Sequence, residues 1–294
     1  MSIKRLTLGE RIFNFCNYLF MILLVIVTLY PMLYVVFASF SDPNRLAAHR
    51  GLLLGPLGFT FGGYKLVFAN PNIPMGYVNT IFYVIIGTLI SMILTTIFAF
   101  VLSRRNLYWK TPMMVMVVIT MYFSGGLIPM YLVVRMLGML NTRWALLLPG
   151  AISTWNLIVM RTSFMGIPAS LEESAYIDGA NDLTILTRIV IPLSVPVMAV
   201  MVLFYSVGSW NSWFPASIYL KNRLLFPLQL IIREILIINN TNDMLIEVDN
   251  VDRGNFQELV KYAVIVISTI PILMVYPFLQ KYFVKGIMIG ALKG

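Results

Sequence analysis

The chain has 294 residues, 59% of them hydrophobic and only 11% charged, with a formal charge of +9. Soluble domains carry about 25% charged residues, so this composition excludes a water-bathed globule and implies a polytopic membrane protein. A single cysteine, Cys16, and a single histidine, His49, exclude an internal disulfide, a Cys/His metal site and a Cys–His catalytic pair.

The positive charge does not mark a nucleic-acid surface, because most Lys and Arg flank apolar stretches as membrane anchors. Cys16 reads as a packed apolar residue and His49 as a solvated loop residue. No nucleic-acid partner and no metal are expected. From Phe13 to Phe40 the chain runs uncharged for 28 residues, too long for a signal-peptide core, and no A-x-A site follows. This stretch is expected to remain as a first membrane span.

A helix needs about 20 apolar residues to cross a bilayer core. Six stretches qualify, at about 13–40, 77–102, 112–134, 145–164, 190–214 and 262–280; counts of five or seven stay open. Gly125, Gly126 and Pro129 are expected to bend or interrupt the third. The expected fold is therefore all-α with six transmembrane helices. Residues 1–76 would form a first helix and outer loop, 77–284 a core, and 285–294 a tail.

Lys and Arg set the orientation. Residues 1–12 hold Lys4, Arg5 and Arg11, the link 103–111 holds Arg104, Arg105 and Lys110, and the end holds Lys281, Lys285 and Lys293. These segments fall on one side if six spans separate them. Both termini and residues 165–190 are then cytoplasmic. In the outer segment 215–257, Leu228, Ile231, Ile232 and Ile235 follow helical spacing, with Arg233 and Glu234 off that face. This predicts an amphipathic helix on the outer membrane surface, followed by the solvated loop "NNTNDMLIEVDNVDRGN".

Between the fourth and fifth stretches lies "LEESAYIDGANDLTILTRIVIPLSVP", with four acidic residues and a lone glycine. Ser170 and Glu173 fit a capping box, which predicts a helix from Leu171 to about Asp178. Gly179 suits the left-handed position that ends a helix. Asn181 or Asp182 then caps a second short helix through about Val190, and Pro192 opens the next span. Taken alone, such a helix–turn–helix also suits an ordinary interfacial loop.

The spacing is more specific. It resembles the cytoplasmic signature of ABC importer permeases: E-A-A, three residues, G, nine residues, then I-x-L-P. Here it reads Glu173-Ser174-Ala175, Gly179, and Ile189-Val190-Ile191-Pro192, departing only at Ser174 and Ile191. "AFVLSR" at 99–104, "GGLIPMYLVVRMLGMLNTRWALLLPG" at 125–150 and the ending "QKYFVKGIMIGALKG" are similar to the carbohydrate-uptake class of that family. Within it they most resemble the maltose-type six-span permeases of the complex-oligosaccharide subset. Residues 1–76 and 215–257 match less specifically.

The resemblance implies a type I ABC importer permease fold whose 165–190 segment is a coupling helix docked on an ATPase subunit. Glu172, Glu173, Ala175 and Asp178 would meet that subunit, with Gly179, Ala180, Ile189 and Pro192 shaping the turn and exit. Glu173 would face a basic residue of the ATPase. Gly286, Gly290, Lys293 and Gly294 would lie against the ATPase dimer, or simply fray. Implied partners are a second homologous permease, two ATPase subunits, an extracellular solute-binding protein and a sugar or oligosaccharide. The setting would be a bacterial cytoplasmic membrane. ATP and Mg would bind the ATPase subunits; this chain holds no phosphate-loop motif and is expected to bind no cofactor and to catalyse no reaction.

The expected transport mode is alternating access. The alternative class is a secondary carrier or channel for a small polar solute, but the predicted spans lack the Asp or Glu that such carriers often need. Aromatic rings stack on sugar C–H faces and amides bond sugar hydroxyls. Trp210, Asn211 and Trp213 are the leading solute-path residues, with Tyr122, Trp155 and Asn156 behind them. Tryptophan near a membrane boundary also serves as a plain interface anchor.

Overall fold

The computed structural model describes residues 7–237 and 253–291, and every regular element among them is helical. The chain separates into two compact units, Met1–Asn70 with Ile235–Thr269, and Pro71–Glu234 with Ile270–Gly294.

The first unit opens with α1 (Leu8–Ser39), capped by a reciprocal box in which Thr7 Oγ1 accepts from the Glu10 amide and Glu10 accepts from the Thr7 amide. None of its most apolar window is buried within the chain, which is what a helix clad in lipid requires. Cys16 follows suit: it is exposed rather than packed, because α1 meets no neighbour at that level. Asp42 caps the short α2 (Pro43–Ala48), and His49 ends it, exposed as expected. Next comes α3 (Gly62–Ala69), which lies tightly on α15 (Arg253–Ala291): a Cβ on Gly63 would stand 2.9 Å from Leu259 Cγ. Phe40, Phe59, Phe61 and Tyr64 form a ring cluster beside this contact, and the Tyr64 hydroxyl is 2.8 Å from Ser39 Oγ.

In the second unit, α4 (Asn72–Ser103) is the central element, packed on α8 (Thr154–Met165) and α12 (Val195–Trp210). One side of α4 is a buried stripe of Asn79, Thr80, Thr88, Ser91, Thr95 and Thr96. Small hydroxylated residues let helices approach and bond across the gap where lipid offers no hydrophobic drive. Thr95 Oγ1 lies 2.7 Å from the Tyr205 hydroxyl, Thr88 Oγ1 3.2 Å from Ser206 Oγ, and Thr96 donates to the Met160 sulfur at 3.6 Å. Nearer the start of α4, Asn79 donates to the Leu224 and Phe226 carbonyls at 2.7 and 3.1 Å, and Tyr83 donates to Leu225 at 2.8 Å.

The expected break in the third stretch is present: α5 (Lys110–Tyr122) and α6 (Leu127–Met136) meet at 114°, with Gly126 at φ 84 between them. Residues 145–164 do not form one long helix. They divide into α7 (Trp144–Leu147) and the 12-residue α8, separated by the turn around Pro149 and Gly150. The fifth stretch is also bent. Asp182–Leu193 meets α12 at 85°, beside Ser194. Among the described residues, three helices are each long and apolar enough to cross a membrane, or five spans if each bent pair counts as one.

The amphipathic helix is α14 (Leu228–Ile237). Its apolar face is covered by protein rather than laid on the membrane surface, with Leu228, Ile231, Ile232 and Ile235 each at most 5% exposed. Gly76 explains part of this, since a Cβ there would stand 2.6 Å from Ile231 Cδ1. Most of the loop expected after it, residues 239–252 of 239–255, lies outside the described residues.

Candidate functional site

The helix–turn–helix forms, with different chemistry at its entrance. Pro168 occupies the cap at ψ 130, and α9 runs Ala169–Ile177 with no side-chain cap. Ser170 therefore falls inside the first turn, and the expected capping box with Glu173 is absent. Proline, with φ near its fixed value and no N–H to satisfy, takes the position the serine was expected to hold.

The exit is as expected. Gly179 sits at φ 78, its N–H bonds the Tyr176 carbonyl at 3.0 Å, and the Ala180 N–H bonds the Ala175 carbonyl at 2.9 Å. Those two bonds define a Schellman ending, which favours glycine at the left-handed residue. Asn181 then caps α10 (Asp182–Ile185) by accepting from the Thr184 amide at 2.8 Å. Across the turn the Tyr176 hydroxyl donates to Asp182 Oδ1 at 2.5 Å, and that bond holds the phenol above its usual pKa. The chain continues through a π-helical turn, Leu186–Val190, and the short α11 (Ile191–Leu193).

The expected docking residues divide by aspect. Glu173, Asp178, Gly179 and Pro192 are exposed. Ala175, Ala180 and Ile189 pack instead on a core built from Phe100, Phe164, Ile185 and their neighbours. Glu172 turns inward and pairs with Arg104, whose guanidinium lies 3.7 Å over the Phe100 ring. Among the described residues Arg104 Nε and Nη2 are buried without hydrogen-bond partners, and Glu172 supplies its one acidic contact. Sequence reading missed this pair, whose members stand 68 positions apart. It also passed over Ile177 and Leu183, which flank Gly179 at 87% and 67% exposure.

A second feature is a cavity of about 730 Å³. Its wall takes Tyr83, Gly87 and Ser91 from α4, Ser153, Trp155 and Asn156 around the start of α8, and Phe204, Tyr205, Gly208 and Ser209 from α12. Tyr205 fixes one side, since its hydroxyl also accepts from the Ser153 amide at 3.1 Å. A mostly apolar recess with a few convergent hydroxyl and amide groups is the usual form of a small-solute site. Of the expected path residues, Trp155 and Asn156 line it. Trp210 packs edge-on against Tyr77, Asn211 ends α12, Trp213 lies under Arg233 at 4.0 Å, and Tyr122 is exposed; none of these four lines the cavity. Gly286 and Gly290 fall within α15, whereas Lys293 and Gly294 lie outside the described residues.

An all-helical membrane chain with a recess among its helices and an exposed helix–turn–helix is the architecture expected of a transporter subunit. Comparison with known proteins agrees. The chain is 41% identical over 287 residues to the polygalacturonan/rhamnogalacturonan transport system permease protein YtcP of Bacillus subtilis, covering 97% of this chain and 99% of the relative. It is 41% identical over 292 residues to protein LplC of the same organism, covering 98% and 97%. Among solved structures it resembles, with TM-score 0.87 and 33% identity, a chain of a bacterial ABC transporter involved in the import of the acidic polysaccharide alginate, over 95% of this chain and 99% of that one. No family model matches. The chain belongs to the permease subunits of ABC transport systems for carbohydrates, and is a membrane transporter component rather than an enzyme.

Proposed function

We propose that this chain is one of two permease halves of an importer that carries an oligosaccharide across a bacterial cytoplasmic membrane by alternating access. The observation that carries the reading is the 169–185 segment, where a Schellman turn joins a helix carrying exposed Glu173, Ile177 and Asp178 to one carrying exposed Leu183. Ile177 and Leu183 are exposed within this chain, and on an ATPase surface they would be buried. In this reading Glu173 and Asp178 supply the charged contacts to the ATPase, and the α15 end bearing Gly286 and Gly290 approaches the ATPase dimer. ATP and Mg stay on the two ATPase subunits, while an extracellular solute-binding protein delivers the glycan. The second permease completes the path whose wall here includes Trp155, Asn156 and Tyr205.

The alternation of Lys- and Arg-rich segments supports six crossings with both termini cytoplasmic. The fourth crossing would be made by the broken α7–α8 region and the fifth by the bent pair ending in α12. The relatives' transport of polygalacturonan or rhamnogalacturonan and of alginate makes uronate-containing oligosaccharides the first solutes to try. Reconstitution with the partner permease, ATPase and binding protein tests the reading, using oligogalacturonides and neutral oligosaccharides side by side. Uptake should require ATP inside the vesicle. Uptake without ATP that an uncoupler abolishes would overturn it in favour of a proton-coupled carrier.

A further inference from the structure

A groove outside the solute cavity is basic at one end and apolar along its length. It is open, of about 360 Å³ along α5, with Lys110, Met114, Val115, Val118 and Ile119 on one side and Arg161 of α8 on the other. These α5 positions share one helix face, and from Lys110 to Ile119 the face spans about 13 Å at 1.5 Å per residue.

The register of the two helices puts both cations at the same end. Thr120 Oγ1 and Thr154 Oγ1 are 3.3 Å apart, so the end of α5 meets the start of α8. Seven residues back along α5 and seven forward along α8 bring Met113 level with Arg161. Arg161 Nε donates to the Leu102 carbonyl at 3.0 Å, which anchors the guanidinium near the link that precedes α5. The ion pairs among the described residues, Arg104–Glu172 and Arg223–Glu234, leave Lys110 and Arg161 without a carboxylate. Exposed Tyr108 and Trp109 stand just before this end, as rings do at a headgroup boundary. The first N–H groups of α5 have no side-chain cap and add the positive end of a helix dipole.

We propose that this groove holds an anionic phospholipid of the cytoplasmic leaflet, its phosphate between Lys110 and Arg161 and an acyl chain along Met114, Val115, Val118 and Ile119. A phosphate answers the two cations that have no carboxylate, and the apolar run suits a hydrocarbon tail. Basic pockets between spans on the cytoplasmic side select headgroups in this way. The lipid site rests on the membrane orientation proposed for the six crossings and is independent of which solute is carried.

The test uses the assembled importer in nanodiscs of phosphatidylcholine with phosphatidylglycerol, followed by detergent extraction and mass-spectrometric counting of retained lipid. The parent should retain phosphatidylglycerol over phosphatidylcholine. Each cation near an anionic surface is worth about fivefold in binding, so Lys110→Gln should lower retention about fivefold and Lys110→Gln with Arg161→Gln about thirtyfold. Lys110→Arg should restore it. Because Arg161 also holds the Leu102 carbonyl, Lys110→Gln alone carries the decision if the double variant is not inserted. Equal retention of the two lipids, or unchanged retention in Lys110→Gln, overturns the proposal. Displacement of the lipid by inorganic phosphate overturns it in favour of a soluble-anion site. Loss of a partner subunit from Lys110→Gln with lipid retention unchanged overturns it in favour of a protein contact.

Discussion

Substitution of Gly179 separates the cost of the turn from the cost of the contact. At φ 78 an L-residue carries a left-handed penalty of about 1–2 kcal/mol, and the Schellman bonds from Gly179 and Ala180 hold the backbone there. A Cβ added at Gly179 meets no atom within 4 Å. The isolated subunit should therefore be indifferent to side-chain size: Gly179→Ala and Gly179→Leu should destabilise it by the same about 1–2 kcal/mol. In the assembled importer the two should part. Alanine should add little beyond the backbone penalty, whereas leucine would push into the ATPase surface and lower ATP-driven uptake severely. The assay pairs thermal melting of the purified subunit with uptake normalised to membrane abundance. Equal melting and equal transport for the two variants would refute the docking role of this turn; unequal melting would refute the claim that the space around Gly179 is open within the chain.

Other expectations are as direct. Glu172→Gln should lower subunit stability by about 2 kcal/mol, because Arg104 loses its one acidic partner; unchanged melting would show that the pair contributes nothing. Asn79→Ala should cost about 2–4 kcal/mol by stranding the Leu224 and Phe226 carbonyls, read by melting in detergent. Glu173→Ala should leave melting unchanged, since Glu173 is exposed and caps nothing, yet reduce ATPase co-purification. Cysteine at 222, in a Cys16→Ser background, should label from outside intact cells while cysteine at 293 should not; the reverse pattern would sink the proposed topology.

What the sequence made legible was local. Gly179 after an acidic helix, Asn181 before the next, and Gly125-Gly126 within an apolar run each act over a few residues, and each appears where expected. The capping box failed because two local rules competed, and Pro168 won over Ser170. Pairings across long separations carried no such mark. "AFVLSR" displays an arginine after a span but not its contact with Glu172, and the period of Leu228, Ile231, Ile232 and Ile235 gives a face without saying what covers it. The cavity is the same kind of case. Trp155 and Asn156 reach it and Trp210 does not, because a turn before α8 and the packing of Tyr77 decide which rings point inward.

The π-helical turn Leu186–Val190 lies across the end of the nine-residue gap between Gly179 and Ile189. An α-helix advances about 100° per residue, and a π turn takes up one residue beyond that winding without unwinding the helix on its far side. The gap thus behaves as a phase rather than a length. Deleting one residue from Leu186–Val190 would let the turn relax to ordinary winding, leaving the span that begins at Val195 undisturbed. Inserting one into the α-helical run Asp182–Ile185 has no such outlet and would swing Leu183 by about a quarter turn. Natural one-residue deletions in this segment should therefore collect at the π turn, a place where the chain can lose a residue and still present the same side to whatever it touches.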